Sequence, residues 1–427
     1  MSAGHVGIDF GTSNSAVATA TPSGEVDILS YALLGNRTQS YRSLLFFDPE
    51  EQEVGDPVAY HAGSEAIEAY LEALGEGRLV QSFKTHLTSG SIGRTQIGHH
   101  RVSLDDMLRL FFERLREHYA KAYGAVPTRA VLGRPVRFAG AADDEGSDAA
   151  QARLQAIAVA SGFAQVDFVL EPIAAAYHYE RSLTKPELAL VADFGGGTSD
   201  FCLMRLGPAE HRSADRRDDI VATGGVGVAG DDLDAALVEH VVCPRLGMGT
   251  TYVEMGREKP VPRSYYFKLA RWHQLSFLRG SKTRAELERL HRGARDPDAL
   301  EALIHVVENN QGFHLHKAVE RTKIALSHDA QTRFTYVDGP VDIDVTVARS
   351  DFESWIAPQV EAITEALDAT LSRAGVQPSE VDRVFMTGGT AFVPVVRRAF
   401  EARFGADALT GGDELLSIAS GLALASP

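Results

Sequence analysis

Two kinds of apolar pattern alternate along the chain: short continuous runs that end in Asp or Gly, and longer stretches with an apolar residue every three or four positions. Val6-Gly7-Ile8-Asp9-Phe10 reads as a buried strand, and Ser15 to Thr21 and Glu25 to Ser30 complete an N-terminal meander around the turn Pro22-Ser23-Gly24. Residues 103–123 read as an amphipathic helix with Leu104, Met107, Leu108, Phe111, Leu115 and Tyr119 on one side. Ser103 with Asp106 marks its start, and Gly124 and Pro127 mark its end. Then follow a strand at 130–133, a helix at 149–161, a strand at 166–170, and, after Glu171-Pro172, a helix from Ile173 to Arg181.

A second cycle opens at Leu188 to Asp193, apolar enough for a strand buried on both faces. Residues 207–219 read as a hairpin loop, and 244–312, with weaker periodicity, as an inserted helical subdomain. Helices are expected at 233–242, 315–326, 351–374 (Ser350 and Glu353 spaced as a capping box), 391–403 and 413–425, with a strand at 384–387. Alternating strands and helices predict an α/β fold.

The two cycles share a signature. Asp9-Phe10-Gly11-Thr12-Ser13 and Asp193-Phe194-Gly195-Gly196-Gly197-Thr198-Ser199-Asp200 each follow a strand and precede another, 184 positions apart (193 minus 9). Glycines let backbone amides approach phosphate oxygens, hydroxyls add donors, and an Asp at each strand end offers hard oxygens to Mg²⁺ directly or through its waters. The pair predicts a clamp for one polyphosphate. Gly224 to Asp232 and Gly388-Gly389-Thr390 are further glycine clusters that open helices, where amides can meet anions.

Composition narrows the partners. The 427 residues suggest two or three domains, and 44% hydrophobic with 23% charged residues is ordinary for a globular protein. With 42 Lys+Arg against 58 Asp+Glu the formal charge is −16, which disfavours nucleic acid and anionic membranes. Cys202 and Cys243 lack metal or disulfide spacing, and no leader or membrane-length apolar run is apparent, so a cytoplasmic protein is expected. His99-His100, His314-x-His316 and the acidic run Asp143-Asp144-Glu145 are read as surface features, and no metal beyond Mg²⁺ is assigned.

These motifs, with Glu171-Pro172-Ile173-Ala174-Ala175-Ala176-Tyr177, Gly230-Asp231-Asp232-Leu233-Asp234, Glu320-Arg321-Thr322-Lys323 and Ser327, stand in an order over nearly the whole chain that resembles the ATPase domain of DnaK-type heat-shock chaperones, in the actin-like superfamily. The resemblance implies two lobes, each a mixed five-stranded, RNase H-like sheet with helices: residues 1–182; 183–410 with an inserted subdomain at about 231–320; and 411–427 as a helix returning to the first lobe. It also implies ATP or ADP with Mg²⁺ as ligands and slow hydrolysis by in-line attack of water.

By the same resemblance Asp9, Gly11, Thr12, Ser13 and Asn14 form the first phosphate loop, Asp193, Gly195, Gly196, Gly197, Thr198 and Asp200 the second, and Gly230 a further phosphate contact. Glu171 orients water, Lys84 neutralises the terminal phosphate, and Asp9 and Asp193 serve Mg²⁺, through water. Glu320, Lys323, Ser327, Gly388, Gly389 and Phe392 face the nucleoside. Ser13 replaces a family Thr, Asn14 a Tyr, and Ile324 and Phe392 stand where two arginines sandwich adenine, so apolar contact and ring stacking are expected there.

The chain stops at Pro427, as expected for the short YegD-like branch with the ATPase portion alone and no peptide-binding domain. Protein clients or co-chaperones are expected partners without a signature that names them. Three rivals share the phosphate loops: a small-molecule or sugar kinase, a filament-forming actin relative, and a regulatory module that holds nucleotide without turnover.

Overall fold

The computed structural model describes residues 5–33, 35–52, 55–73, 77–81, 83–88, 94–138, 140–271, 278, 280–309, 311–410 and 417–425. They form two compact units: Met1–Gly225 with Ala366–Gly389 and Phe400–Pro427, and Val226–Glu365 with Thr390–Ala399.

Both Asp-Phe-Gly segments lie in the first unit, each at the tip of a strand in a mixed sheet. One sheet runs in the order Gln165–Leu170, Arg129–Arg134, Val6–Phe10, Asn14–Ala20, Val26–Ile28, with the short strand Tyr41–Arg42 added beside Asn14–Ala20. The other runs Ile220–Val226, Ser199–Leu206, Glu187–Phe194, Arg383–Thr387, Leu409–Thr410. In each, the strand carrying the Asp is antiparallel to its hairpin mate and parallel to the neighbour on its other side. This is the α/β architecture expected, with a sixth strand in the first sheet. Both Asp strands sit centrally, so their apolar residues are almost fully buried: Val6, Ile8 and Phe10 in one, Leu190, Val191, Ala192 and Phe194 in the other.

The helix Leu104–Tyr123 begins at the expected cap: Asp106 N–H donates to Ser103 Oγ (3.2 Å), and Ser103 N–H donates to Asp106 Oδ2 (2.9 Å). It ends at Gly124 in the left-handed region, φ 72°. Phe111 and Phe112, both fully buried, pack on Phe10, which secures the strand that carries Asp9. The acidic run at 143–145 opens the helix Asp144–Ala160, where Asp143 accepts from Gly146 N–H at 2.8 Å.

The helix Ser417–Leu424 packs on four strands of the first sheet, Val6–Phe10, Asn14–Ala20, Arg129–Arg134 and Val26–Ile28, and on the short helix Glu171–Ala175. Small residues permit the approach: a Cβ on Gly7 would fall 2.3 Å from Ala423 N, and one on Gly421 only 2.0 Å from the Ala174 carbonyl oxygen. Tyr177 Oη donates to the Leu424 carbonyl at 2.6 Å, tying the next helix, Tyr177–Ser182, to the same segment. The remainder of the expected helix at 413–425, residues 413–416, lies outside the described residues.

Elsewhere local pattern and structure differ. Ile173 to Arg181 divides into Glu171–Ala175 and Tyr177–Ser182, and residues 207–219 hold two 3₁₀ turns, Ala209–His211 and Arg216–Asp219. Residues 351–374 form Arg349–Trp355 and Ala357–Ala374, broken at fully buried Ile356. Ser350 is therefore inside the first of these helices, and Glu353 accepts from Arg398 at 2.6 Å instead of closing a capping box. The 244–312 stretch contains a two-stranded ribbon, Thr251–Glu254 with Arg257–Pro260, besides the helices Arg263–Leu269, Ser281–Gly293 and Pro297–Glu308. Cys202 and Cys243 are buried, which pushes both thiols up to about 12 and makes them poor nucleophiles.

Candidate active site

The two phosphate-loop candidates have the same hairpin register. Phe10 pairs with Ser15 and Phe194 with Ser199, so each turn spans the same length and each Asp occupies the same place before it. In the first, Ser40 Oγ donates to Asn14 Oδ1 at 3.0 Å, and a Cβ on Gly11 would fall 2.3 Å from the Asn14 carbonyl oxygen, which restricts that turn to glycine. In the second, Gly195 N–H donates to the Thr198 carbonyl (2.9 Å) and Thr198 Oγ1 to Asp200 Oδ2 (2.9 Å). A Cβ on Gly197 would meet nothing within 4 Å, so its backbone is open to a ligand.

Three more segments converge on these turns. Glu171 opens its short helix directly after the strand Gln165–Leu170, with buried Pro172 next in the first turn. Lys84 belongs to the 3₁₀ turn Phe83–His86, which fully buried Phe83 anchors against Phe111. Lys84 Nζ donates to Glu171 Oε1 at 2.6 Å. Thr387, at the end of Arg383–Thr387, donates from Oγ1 to Asp193 Oδ1 at 2.5 Å. Ser82 and the Thr85 side chain lie outside the described residues.

The electrostatics follow from crowding. Burial, repulsion by Glu171 and repulsion by Asp193 lift Asp9 to about 7 against the pull of Lys84. Asp193 rises to about 6, chiefly by burial, with the Thr387 hydrogen bond opposing it. Burial disfavours the charge on Lys84, yet Glu171, Asp9 and Asp193 together hold its pKa above the ordinary value. Negative charge is thus in excess around one ammonium group.

Asp9 and Asp193 therefore suit a hard cation that brings its own oxygen ligands. Among the described residues no group of three or more His, Cys, Asp or Glu can enclose a metal ion. The donor set fits Mg²⁺ completed by water and phosphate oxygens.

The glycines of Gly224 to Asp232 have mixed duties. Gly224 and Gly225 lie in the strand Ile220–Val226, and a Cβ on Gly225 would fall 2.7 Å from Asp200 Oδ1. The helix starts at Gly230, not Leu233, because Asp232 accepts from Ala229 N–H (3.2 Å) and fixes the first turn there. Gly388, at φ 84°, would place a Cβ 2.0 Å from the Phe194 carbonyl oxygen, so it locks the 388–389 turn onto the second hairpin.

In the second unit, Lys323 donates to Asp234 Oδ2 (2.8 Å) and the Gly230 carbonyl (3.4 Å). Glu320 pairs with Lys317 (2.7 Å), and Ser327 Oγ donates to the Lys323 carbonyl (3.2 Å). Glu320, Lys323 and Ser327 lie on one helix, Gly312–His328, and its neighbour Ile324 is 53% exposed; Phe392 is 42% exposed. Two large apolar side chains are open where the resemblance places arginines. His316 Nε2 is hydrogen-bonded with the Leu269 carbonyl at 2.8 Å, a packing role.

A family model described as Hsp70 protein matches residues 5–245 and 303–426. The chain belongs to the Hsp70 family. Membership carries the actin-like ATPase fold, and Hsp70 proteins are ATP-binding, chaperone-type ATPases that use ATP or ADP with Mg²⁺. Both Asp-Phe-Gly hairpins, Lys84, Glu171 and Thr387 fall inside the Hsp70 match, whereas the ribbon Thr251–Glu254 with Arg257–Pro260 falls between its two stretches. No helix among the described residues is long and apolar enough to cross a membrane.

Sequence reasoning missed Thr387. It looked like the last residue of an apolar strand, and only the parallel pairing Asp193 with Thr387 reveals its partner.

Proposed function

We propose that this chain binds MgATP and hydrolyses it slowly by in-line attack of water, as a chaperone-like switch. The observation that carries the reading is the Lys84–Glu171 pair in electrostatic contact with both Asp9 and Asp193. A carboxylate held by an ammonium group is fixed in direction, and Glu171 would accept a hydrogen bond from water and aim it at the terminal phosphorus. Lys84 would neutralise phosphate charge.

Asp9 and Asp193 would hold Mg²⁺ through its waters; when bound, the ion neutralises and orients phosphate oxygens. Amides and hydroxyls of Gly11, Thr12, Ser13, Asn14, Gly195, Gly196, Gly197, Thr198 and Gly230, with Asp200 ordering Thr198, would grip the phosphates. Glu320, Lys323, Ser327, Gly388, Gly389 and Phe392 would contact the nucleoside. A cytoplasmic location and a protein client or co-chaperone belong to the same proposal.

The test is phosphate release by the wild type, Glu171→Ala and Asp193→Ala under single turnover. Loss in both variants is expected. Undiminished release in either overturns the assigned mechanism, and turnover only after adding a polyol would favour a kinase.

A further inference from the structure

The internal repeat makes one asymmetry visible. Beside each Asp strand runs a parallel neighbour: Ile8 pairs with Leu132 in one sheet, and Asp193 pairs with Thr387 in the other. One step beyond the Ile8–Leu132 pair stand Asp9 and Gly133, where a Cβ would come 3.1 Å from Glu171 Cγ. The first half leaves that position empty and admits the Glu171 side chain. The second half fills the corresponding position with a hydroxyl.

That hydroxyl has little freedom. Thr387 is 4% exposed, its branched Cβ limits χ1, and its strand is hydrogen-bonded between Glu187–Phe194 and Leu409–Thr410. Oγ1 reaches Asp193 Oδ1 at 2.5 Å, so the plane of the carboxylate is set by a donor on a central strand. That bond leaves Oδ2 and the second lone pair of Oδ1 as acceptor sites of the carboxylate. Lys84 hydrogen-bonds Glu171 Oε1, while the hydrogen bond on Asp193 Oδ1 comes from the neutral hydroxyl of Thr387.

The geometry points to Thr387 as a positioning residue that presents the Asp193 carboxylate to a nucleotide-bound divalent cation and thereby sets the Mg²⁺ requirement of nucleotide binding. In this role Thr387 acts through Asp193, to which its hydroxyl donates. The inference rests on the nucleotide reading above. Groups that orient metal-facing ligands commonly change metal affinity by about 10- to 100-fold when removed.

The experiment titrates Mg²⁺ into full-length protein with a fluorescent ADP analogue, alongside the same binding measured in EDTA. Thr387→Val, equal in shape and lacking the donor, is expected to raise half-saturating Mg²⁺ about 10-fold and leave affinity in EDTA unchanged. Thr387→Ser restores the donor and the wild-type Mg²⁺ curve. Should valine prevent folding, Thr387→Cys, a weaker donor, must still require more Mg²⁺ than Thr387→Ser.

A wild type that responds to Mg²⁺ while Thr387→Val (or Cys, in that case) follows the same curve overturns the role alone. Equal weakening with and without Mg²⁺ also overturns it, since that is a packing effect. A wild type whose ADP binding ignores Mg²⁺ overturns both this role and the nucleotide-site reading.

Discussion

Lys84 and Glu171 stand 87 positions apart in the chain and 2.6 Å apart in the fold, with side chains only 13% and 12% exposed. Two charges removed this far from water are tolerable because each satisfies the other, and the flanking Asp9 and Asp193 add to the hold on Lys84. The pair links the turn Phe83–His86 to the start of the helix Glu171–Ala175, so one contact joins two segments remote in the chain.

Glu171→Gln keeps the size of the side chain and removes its charge. ATP turnover is expected to fall at least about 100-fold while MgADP affinity changes far less. Single-turnover phosphate release beside an ADP titration checks this, and a parallel loss in both measurements contradicts a water-handling role.

Lys84→Met leaves Glu171 without its partner. Unfolding free energy is expected to drop by about 3 kcal/mol, and Lys84→Met with Glu171→Leu to recover part of it, because the double variant also removes the carboxylate that had been hydrogen-bonded to the ammonium group. Urea denaturation of the four proteins in the cycle gives the coupling, and additive losses would show that the two groups do not depend on one another.

The raised carboxyls predict two opposite pH trends. Between the ordinary value of 3.8 and the folded values of about 7 for Asp9 and about 6 for Asp193, the fold retains protons that the unfolded chain has released. The contribution of these groups to ligand-free stability therefore declines as pH rises from about 4 to about 7. MgADP binding runs the other way, since protons must leave before the cation is served: affinity is expected to rise about tenfold per pH unit from 6 to 7 and then level off. A flat dissociation constant from pH 6 to 8 in the same titration would count against both carboxyls.

Gly388→Ala meets a carbonyl at 2.0 Å and a left-handed backbone at once. A loss of about 2 kcal/mol or more and weaker ADP binding are expected. A thermal melt and an ADP titration decide it; an unchanged melting temperature would mean that the 388–389 turn relaxes freely.

Phe392 and Ile324 offer surface for contact but no hydrogen bonds that tell one purine from another. ATP and GTP are therefore expected to bind within about tenfold of each other, and Phe392→Ala to weaken both about 2- to 10-fold. Calorimetry with the two nucleotides measures this, and a strong ATP preference would require a base contact elsewhere.

How far sequence alone reached depended on distance along the chain. The two Asp turns were legible because strand, Asp, Gly and hydroxyl lie within a few positions and repeat after 184. The Ser103 cap was legible for the same reason, its partner being three residues away. Lys84 and Glu171 were found through resemblance, because nothing near Phe83 indicates a carboxylate 87 positions on. Thr387 was missed because a hydroxyl at the end of an apolar run is silent until strand pairing gives it Asp193. The strands Leu44–Phe47, His61–Ala62 and Arg78–Gln81 escaped too, since they are short and held by cross-strand partners.

The clasp between Tyr177 and Leu424 spans 247 positions. In a chain made at about 5–20 residues per second, roughly 12–50 s separate the emergence of the Glu171 helix from that of the segment that steadies it. During that interval the two Asp-Phe-Gly hairpins have already been made while the helices Glu171–Ala175 and Tyr177–Ser182 lack the segment that packs on them. The seating of those helices is thereby timed by translation of residues 417–424 and not by the appearance of the chain's most recognisable motifs.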